Sequence, residues 1–423
     1  MSALQDNRPA PAPLKTGTSM NRSFTFLFLF APFAALAPAK AQFVPQDQRS
    51  FVASPQALGM GDAAVALPMQ QSSFFYNPAH VAHARMHLTV AGASVSVTDN
   101  LFDQVAFFRD ELQPALDAGL ETLSGDDLES LYDRTLAIGQ APTFLNADIL
   151  APSFAMHAGP VGFGVGIFGS SYAHFRLPDG GGGLPLLASE AVADAMVVGS
   201  VGIDLSRFGA KGLTAGINGK YTKRYISYKT RPIDAFSANE PFTLVSGNRV
   251  GVDLGLLYRR PVPGPLPGTL NIGLSVYDLL GTPYRFAYDR TLQGVAGVDV
   301  VTEDVARANR EYRAEPSFRL GAAYAFPHLL GGLVDETGVS MDYVGYRDAE
   351  VDQAFPAHLR LGVQVRVKVL SIRTGLHQGY PTVGGGLSLG VIDLDYAYYG
   401  TEGGRYPGQL PSWHHTGQIR IGL

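Results

Sequence analysis

The chain holds 423 residues, with a formal net charge of −5 and no cysteine. Without thiols neither a disulfide framework nor a thiolate metal site is possible, and the mild acidity argues against nucleic acid as a partner. Glycine recurs inside strand-like runs, such as Gly162, Gly164 and Gly166, which suits curved barrel walls and crowded lumens.

At the N-terminus Arg22 precedes an apolar run, Phe24 to Leu36, and then comes Ala39-Lys40-Ala41. A basic flank, a short apolar core and small residues two apart predict a secretory signal peptide within 1–41, cleaved after Ala41, with Met20 as a start. A membrane-anchoring helix is the alternative, but the run is short for one and is interrupted by Pro32 and Pro38. Residues 42–86 do not read as strands. They hold Ala57-Leu58-Gly59-Met60-Gly61-Asp62-Ala63-Ala64-Val65-Ala66-Leu67 and then Ser73-Phe74-Phe75-Tyr76-Asn77-Pro78-Ala79.

From residue 87 onward the pattern is alternation, which in a strand sends successive side chains to opposite faces. Strands are expected at 87–97, 145–157, 161–174, 192–206, 212–228, 249–261, 269–279, 316–327, 338–346, 357–367, 369–378, 381–390, 391–399 and 413–423. In the clearest of them Leu359, Leu361, Val363, Val365 and Val367 alternate with Arg360, Gly362, Gln364, Arg366 and Lys368. Lipid outside and water inside account for such a strand. The fold class is therefore all-β: an antiparallel up-and-down transmembrane β-barrel of about fourteen strands over 87–423. Its lumen-facing charge ladder is expected to include Arg360, Arg366, Lys368, Arg373, Asp393, Asp395 and Arg420.

Within the barrel, 101–139 reads as a helical pair inserted after strand one. Phe108, Leu112, Leu116 and Leu120 recur at every fourth position, Pro114 starts or kinks the first helix, and Ser124-Gly125-Asp126-Asp127 caps the second. A lid, a site mouth or a structural cap over the lumen are its possible roles. Connections after odd-numbered strands are mostly long and those after even-numbered strands mostly short, with Pro327 to Thr337 the awkward case. That parity places both termini in the periplasm and the insertion on the outer side. Tyr225, Tyr228, Tyr343, Tyr346, Tyr396 to Tyr399 and Trp413 collect at strand ends as an aromatic girdle.

Catalytic and cofactor readings find little support. His414 and His415 face opposite ways in a strand, and His358 and His377 lie in separate strands. Asp393 and Asp395 share a face, where neutralising Arg366, Arg373 and Arg420 is the simpler role. Gly180 to Gly183 lack the strand-to-helix setting of a phosphate loop. No metal or cofactor is expected, and no enzyme.

The Gly-Met-Gly run at 59–61, the small-residue stretch after it and the aromatic-Asn-Pro-Ala box at 76–79 resemble the start of the FadL-like superfamily. That group covers long-chain fatty acid transporters and the related PorV-type barrels of Bacteroidetes-like bacteria. Arg373 to Thr382, Gly384 to Gly386, Leu394 to Tyr398 and Glu402-Gly403 resemble a penultimate hairpin of PorV-like members. Asp62 departs from the pattern, standing where a small residue is common. The resemblance implies a fourteen-stranded barrel whose segment 42–86 plugs the lumen as a hatch. The residues are compatible with that: Gly59 and Gly61 allow a turn in a crowded lumen, Asn77 can cap a helix, Pro78 suits its first turn and Ala79 permits close packing. The expectation is an outer-membrane protein of a Gram-negative-type bacterium, in contact with outer-membrane lipid, that passes or binds hydrophobic small molecules. A PorV-like scaffold handling a secretion partner protein of a type IX-like route, or a passive porin, are the alternatives.

Overall fold

The structure, a computed structural model, describes residues 53–67, 73–139, 143–176, 186–232, 242–287, 298–299, 305–306, 308–309, 312, 316–329, 334–346 and 353–423. The expected signal peptide, residues 42–52 and the glycines at 180–183 lie outside the described residues.

Fourteen strands close into one antiparallel barrel. They are β1 (His87–Thr98), β2 (Thr143–Ala158), β3 (Val161–Arg176), β4 (Leu186–Asp204), β5 (Leu213–Pro232), β6 (Val245–Val262) and β7 (Gly268–Tyr277). The second half comprises β8 (Ser317–Leu329), β9 (Val334–Tyr346), β10 (Leu359–Val367), β11 (Leu370–His377), β12 (Tyr380–Ser388), β13 (Ile392–Glu402) and β14 (Pro411–Gly422). Each pairs with its neighbours in the chain, and β1 pairs with β14 to close the sheet. One extra short strand, Arg285–Ala287, pairs with β6 beyond the reach of β7. Closure leaves every barrel strand with two partners, as a backbone in hydrocarbon requires. Among the described residues no helix is long and apolar enough to cross a membrane.

The expected strands are all present, with shifted ends. β4 begins at Leu186 and β5 runs to Pro232. β8 continues to Leu329 and β9 starts at Val334, so the awkward connection shrinks to 330–333. Both termini of the barrel lie at the short-turn end, where Leu88 and Leu423 exchange backbone hydrogen bonds of 2.9 and 2.8 Å.

Alternation sorts the faces as a membrane demands. Ile149, Val363 and Ile372 are exposed on the outside, whereas Arg360, Gln364 and Arg373 are buried inside. Two expectations about faces fail. Lys368 leaves the charge ladder: it occupies the turn between β10 and β11 at φ 52°, exposed, its N–H donating to Asp335. Tyr399 leaves the girdle: it points inward and stacks on His414 at 5.0 Å. The turn decides the first, and period two the second, since Tyr399 shares the parity of Asp395 and Ala397. Tyr396, Tyr398 and Trp413 remain on the outer side, joined by His415 and Asp99.

The insertion after β1 is helical, with a register change that the spacing of leucines did not reveal. Helix α3 (Asn100–Phe107) passes through a π-turn (Phe108–Leu112) into α4 (Gln113–Ala118), and α5 (Gly125–Gly139) returns. Two short helices, α1 at 55–58 and α2 at 73–76, precede the barrel. The π-turn stands ahead of Pro114, which cannot donate a helical hydrogen bond and whose ring would press on the preceding turn. The extra residue makes Phe107, not Phe108, the partner of Leu112, Leu116, Leu131 and Ile138 in the cluster that joins the helices. Ser124 caps α5: Asp127 N–H donates to Ser124 Oγ at 3.2 Å, and the hydroxyl donates to Asp127 Oδ2 at 2.6 Å.

Ile149 is 63% exposed near the middle of β2. Ile149→Arg should cost about 2–4 kcal/mol if that position meets the bilayer midplane. Equilibrium urea unfolding from vesicles measures this, and an unchanged midpoint would place Ile149 away from lipid.

Candidate functional site

Inside the barrel lies the N-terminal segment. Its described parts are α1 (Pro55–Leu58), a turn through Leu67, α2 (Ser73–Tyr76) and a 3-10 helix (Pro78–His83). Ser54 caps α1, accepting from Gln56 N–H at 3.2 Å, and Asn77 caps the 3-10 helix, accepting from Ala79 N–H at 3.0 Å. From Gly59 to Leu67 the backbone is irregular, and it is buried throughout. An irregular buried backbone must find hydrogen-bond partners outside itself.

The wall supplies them. Asp342 Oδ2 accepts from the N–H groups of Ala64 and Val65 at 2.8 and 2.9 Å, and Ser340 Oγ donates to the Ala63 carbonyl at 2.7 Å. Thr382 Oγ1 accepts from Gly61 N–H and donates to the Gly59 carbonyl, both at 3.1 Å. Asn77 Nδ2 bridges the carbonyls of Val65 and Leu256 at 3.1 and 2.9 Å. Ser275 and Tyr277 donate to the Tyr76 carbonyl at 2.8 and 2.5 Å, and Asn218 donates to that of Phe74 at 2.9 Å.

Such short bonds need a wall without side chains at the points of contact. A Cβ on Gly216 would collide with the Pro78 carbonyl, one on Gly255 with the Asn77 side chain, and one on Gly273 with the Val65 carbonyl. Gly61 has φ 64° and faces the carbonyls of Leu361 and Leu376 with no room for a side chain, while Gly59 lies against Gly384. Ala79 is wholly buried.

One ion pair ties the segment to the wall. Asp62 adopts φ 65°, a left-handed conformation costing an ordinary residue roughly 1–2 kcal/mol. Arg319 holds it there, donating to Asp62 Oδ2 at 2.6 Å and to its carbonyl at 2.9 Å. Tyr76 donates to Asp62 Oδ1 at 2.9 Å, and the guanidinium lies over its ring at 5.4 Å. Burial, with the Asp62 carboxylate beside it, raises the Tyr76 hydroxyl well above its usual range.

The charges seen in the sequence divide into separate networks. Arg373 donates to Asp395 at 2.7 Å and to Gln364 at 2.8 Å, and Gln364 also accepts from Gln56 of α1 at 3.3 Å. Arg420 reaches Asp395 and Asp393 at 3.3 and 3.5 Å. Arg360 turns away from these to the carbonyls of Ala357 and Leu359 at 2.7 and 2.9 Å, and Arg366 is half-buried opposite Ser371. A further network joins Lys220, Asp253, Asp278 and Arg249 through contacts of 2.6 to 3.1 Å. Lys220, Arg249 and Asp253, like Arg319 and Asp342, sit on the polar faces of their strands and Asp278 stands just past the end of β7, but no spacing in the chain marked them as partners.

A different surface lies on the wall of β2 to β6. Leu150, Phe168 and Met196 face each other in register, and with Val198 they pack on Phe74 and Phe75 of α2. The rings of Phe75 and Phe168 meet edge to face at 4.4 Å. Nearer the long-loop end Tyr172, Val192, Ile226 and Val245 form a second apolar row, covered by Tyr284, Phe286 and Tyr312. Between the rows runs a polar one, in which Arg224 is bidentate to Asp194 at 2.6 and 2.8 Å and Asp148 accepts from Ser94 and Ser170. Beside the first row, Ala151 and Pro152 of β2 bulge out of register with β3, and the β1–β14 pairing shifts between Thr89 and Ala91.

No family model and no curated protein sequence matches the chain. Among solved structures it is similar to a monoaromatic hydrocarbon channel, the TodX deltaS2S3 mutant, at 10% identity and a TM-score of 0.44, covering 88% of this chain and 98% of that one. It is also similar to the CymD monoaromatic hydrocarbon channel, at 12% identity and 0.44 over 87% and 96%, and to the transport unit of the autotransporter AIDA-I from Escherichia coli, at 10% and 0.38 over 80% and 89%. Likeness this distant adds nothing to the strand pairing described above.

Arg319→Met would leave the Asp62 carboxylate buried and unpaired, a loss of about 3–5 kcal/mol. Protease access to residues 53–67 and urea unfolding should both report it, and adding Asp62→Asn should recover much of the loss. His80, in the 3-10 helix, is lowered from 6.5 to about 3 by burial, opposed by its bond to the Val65 carbonyl and aided by Arg259 and His83. A folded-state value below the unfolded one means that this stabilisation is complete above pH 6.5 and is lost as pH falls toward 3. Unfolding free energy measured across that window should decline with acid, and less steeply in His80→Gln.

Proposed function

We propose that the protein is an outer-membrane channel for hydrophobic small molecules, in which the N-terminal segment serves as a movable hatch. The observation that carries this reading is the apolar row Leu150–Phe168–Met196, which lies on the inner wall below the polar Asp148–Ser170–Asp194–Arg224 row. A water-filled pore gains nothing from apolar side chains in its lumen, whereas a path for apolar solutes needs them. The row faces Phe74 and Phe75, so a shift of α2 would uncover it. Next to it Pro152, which has no N–H to give the ladder, stands in the bulge of β2. This irregularity supports a lateral exit toward lipid at that level. The resemblance of Gly59 to Ala66 and of Asn77 to Ala79 to the start of FadL-like chains points the same way. The hatch residues Gly59, Gly61, Asn77, Pro78 and Ala79 act as architecture in this reading, since each is occupied by the wall.

Planar bilayers and loaded vesicles test it together. The intact protein should stay electrically silent yet admit an apolar fluorescent probe, and a variant lacking 43–83 should conduct steadily. Met196→Asp should slow probe entry without opening the ion path. Steady conductance from the intact protein would identify a porin, and probe entry unaffected by Met196→Asp would remove the apolar row from the path.

A further inference from the structure

Helix α3 carries its amphipathicity the wrong way round for water. At about 100° per residue, Gln104 and Phe107 mark the side turned to the protein. Gln104 donates to the Ile138 carbonyl at 3.1 Å and accepts from Thr143 Oγ1, and Phe107 packs into the cluster with Leu112 and Leu131. The opposite arc holds Leu101, Phe102, Val105 and Ala106, with no charged or polar residue among them. Phe102 is 67% exposed and Val105 55%. A surface helix of a water-soluble element shows the reverse, with its apolar stripe inward.

The place of α3 in the fold says what covers that arc. The helix leaves β1 at Asp99, which is tied to two groups on the outer face of the barrel: His415 Nε2 at 2.9 Å and the Tyr398 hydroxyl at 2.9 Å. Trp413 stacks on Tyr398 at 5.3 Å. Rings with polar handles on the outside of a membrane barrel mark the edge of the hydrocarbon. Thr143, beneath Gln104, has the outward parity of Leu145, Ala147 and Ile149, yet is wholly buried. The start of α3 therefore lies against the lipid side of β2, and its apolar arc continues the apolar band of the wall.

We propose that α3 is an interfacial membrane anchor whose Leu101, Phe102, Val105 and Ala106 face enters the bilayer leaflet at the long-loop end. Lipid is the occupant because the arc is continuous with a surface that already faces lipid, and because the one charged residue within α3, Asp103, lies off the arc, while Arg109 ends it one turn beyond Val105, where a long cationic side chain reaches out of the apolar layer. The anchor holds the helical pair beside the mouth of the barrel, so that the pair does not serve as a lid across it. This inference rests on the barrel's orientation in the bilayer and not on what passes through the lumen.

Trp413 is the single tryptophan of the chain, so a Trp413→Phe background is dark. Phe102→Trp, Val105→Trp and, on the exposed side of α5, Glu129→Trp would each be refolded in phosphatidylcholine vesicles with or without bromine on the acyl chains. Heat-modifiable migration in gels would verify the folded barrel in every case. The anchor predicts loss of most emission at positions 102 and 105 in brominated vesicles, and little loss at 129. Folded barrels whose emission at 102 and 105 is untouched by bromine would overturn it, and would assign the arc to a second copy of the chain or to a soluble partner.

Discussion

A stretch of irregular backbone buried inside a barrel has no water and no ladder of its own, so every N–H and C=O it carries must be answered from the wall. Most of the inner architecture follows from that requirement. Asp342, Ser340, Thr382, Ser275, Tyr277 and Asn218 each spend a side-chain hydrogen bond on the backbone of the N-terminal segment. The wall also yields space where backbone meets backbone, which is why glycine stands at 216, 255, 273 and 384. A side chain at any of these would push the segment away from its partners. Much of the polarity and several of the glycines inside this barrel thus have one cause, the accommodation of a folded segment.

The Asp62–Arg319 pair adds something the backbone bonds do not. A buried ion pair with several hydrogen bonds is a poor source of net stability and a strong source of specificity, because either partner alone is costly. Here it holds a non-glycine residue in a left-handed turn and orders Tyr76, whose carbonyl then receives two wall hydroxyls. The segment is consequently fixed at one hub and many weaker points.

Layering along the wall of β2 to β6 gives the lumen a direction. An apolar row near the long-loop end, the Asp148–Ser170–Asp194–Arg224 row beneath it and the Leu150–Phe168–Met196 row below that form successive environments. The last meets Phe75 at the level where Pro152 interrupts the sheet. Outside the barrel the same logic of environment underlies the lipid contact proposed for α3, whose apolar arc is exposed.

Strand number, strand faces and loop parity were legible from residues alone, because a period of two follows from backbone geometry and lipid rewards every deviation-free repeat of it. Leu361, Val363 and Val365 needed no partner to declare their side. The capping box at Ser124 and the cap at Asn77 were legible for a similar reason, since both are local hydrogen-bond chemistry. What depended on distant pairing was not. Asp62 and Arg319 lie 257 residues apart, and only closure of the sheet brings β8 to the segment that Asp62 belongs to. Lys368 kept the parity of its strand but fell on the turn, and Phe108 kept the leucine spacing until a π-turn ahead of Pro114 handed its place to Phe107. Sequence by itself determined a membrane barrel with a non-strand segment ahead of it; tertiary structure decided which charges pair, which glycines touch and which way α3 faces, because those are contacts between residues that no local period connects.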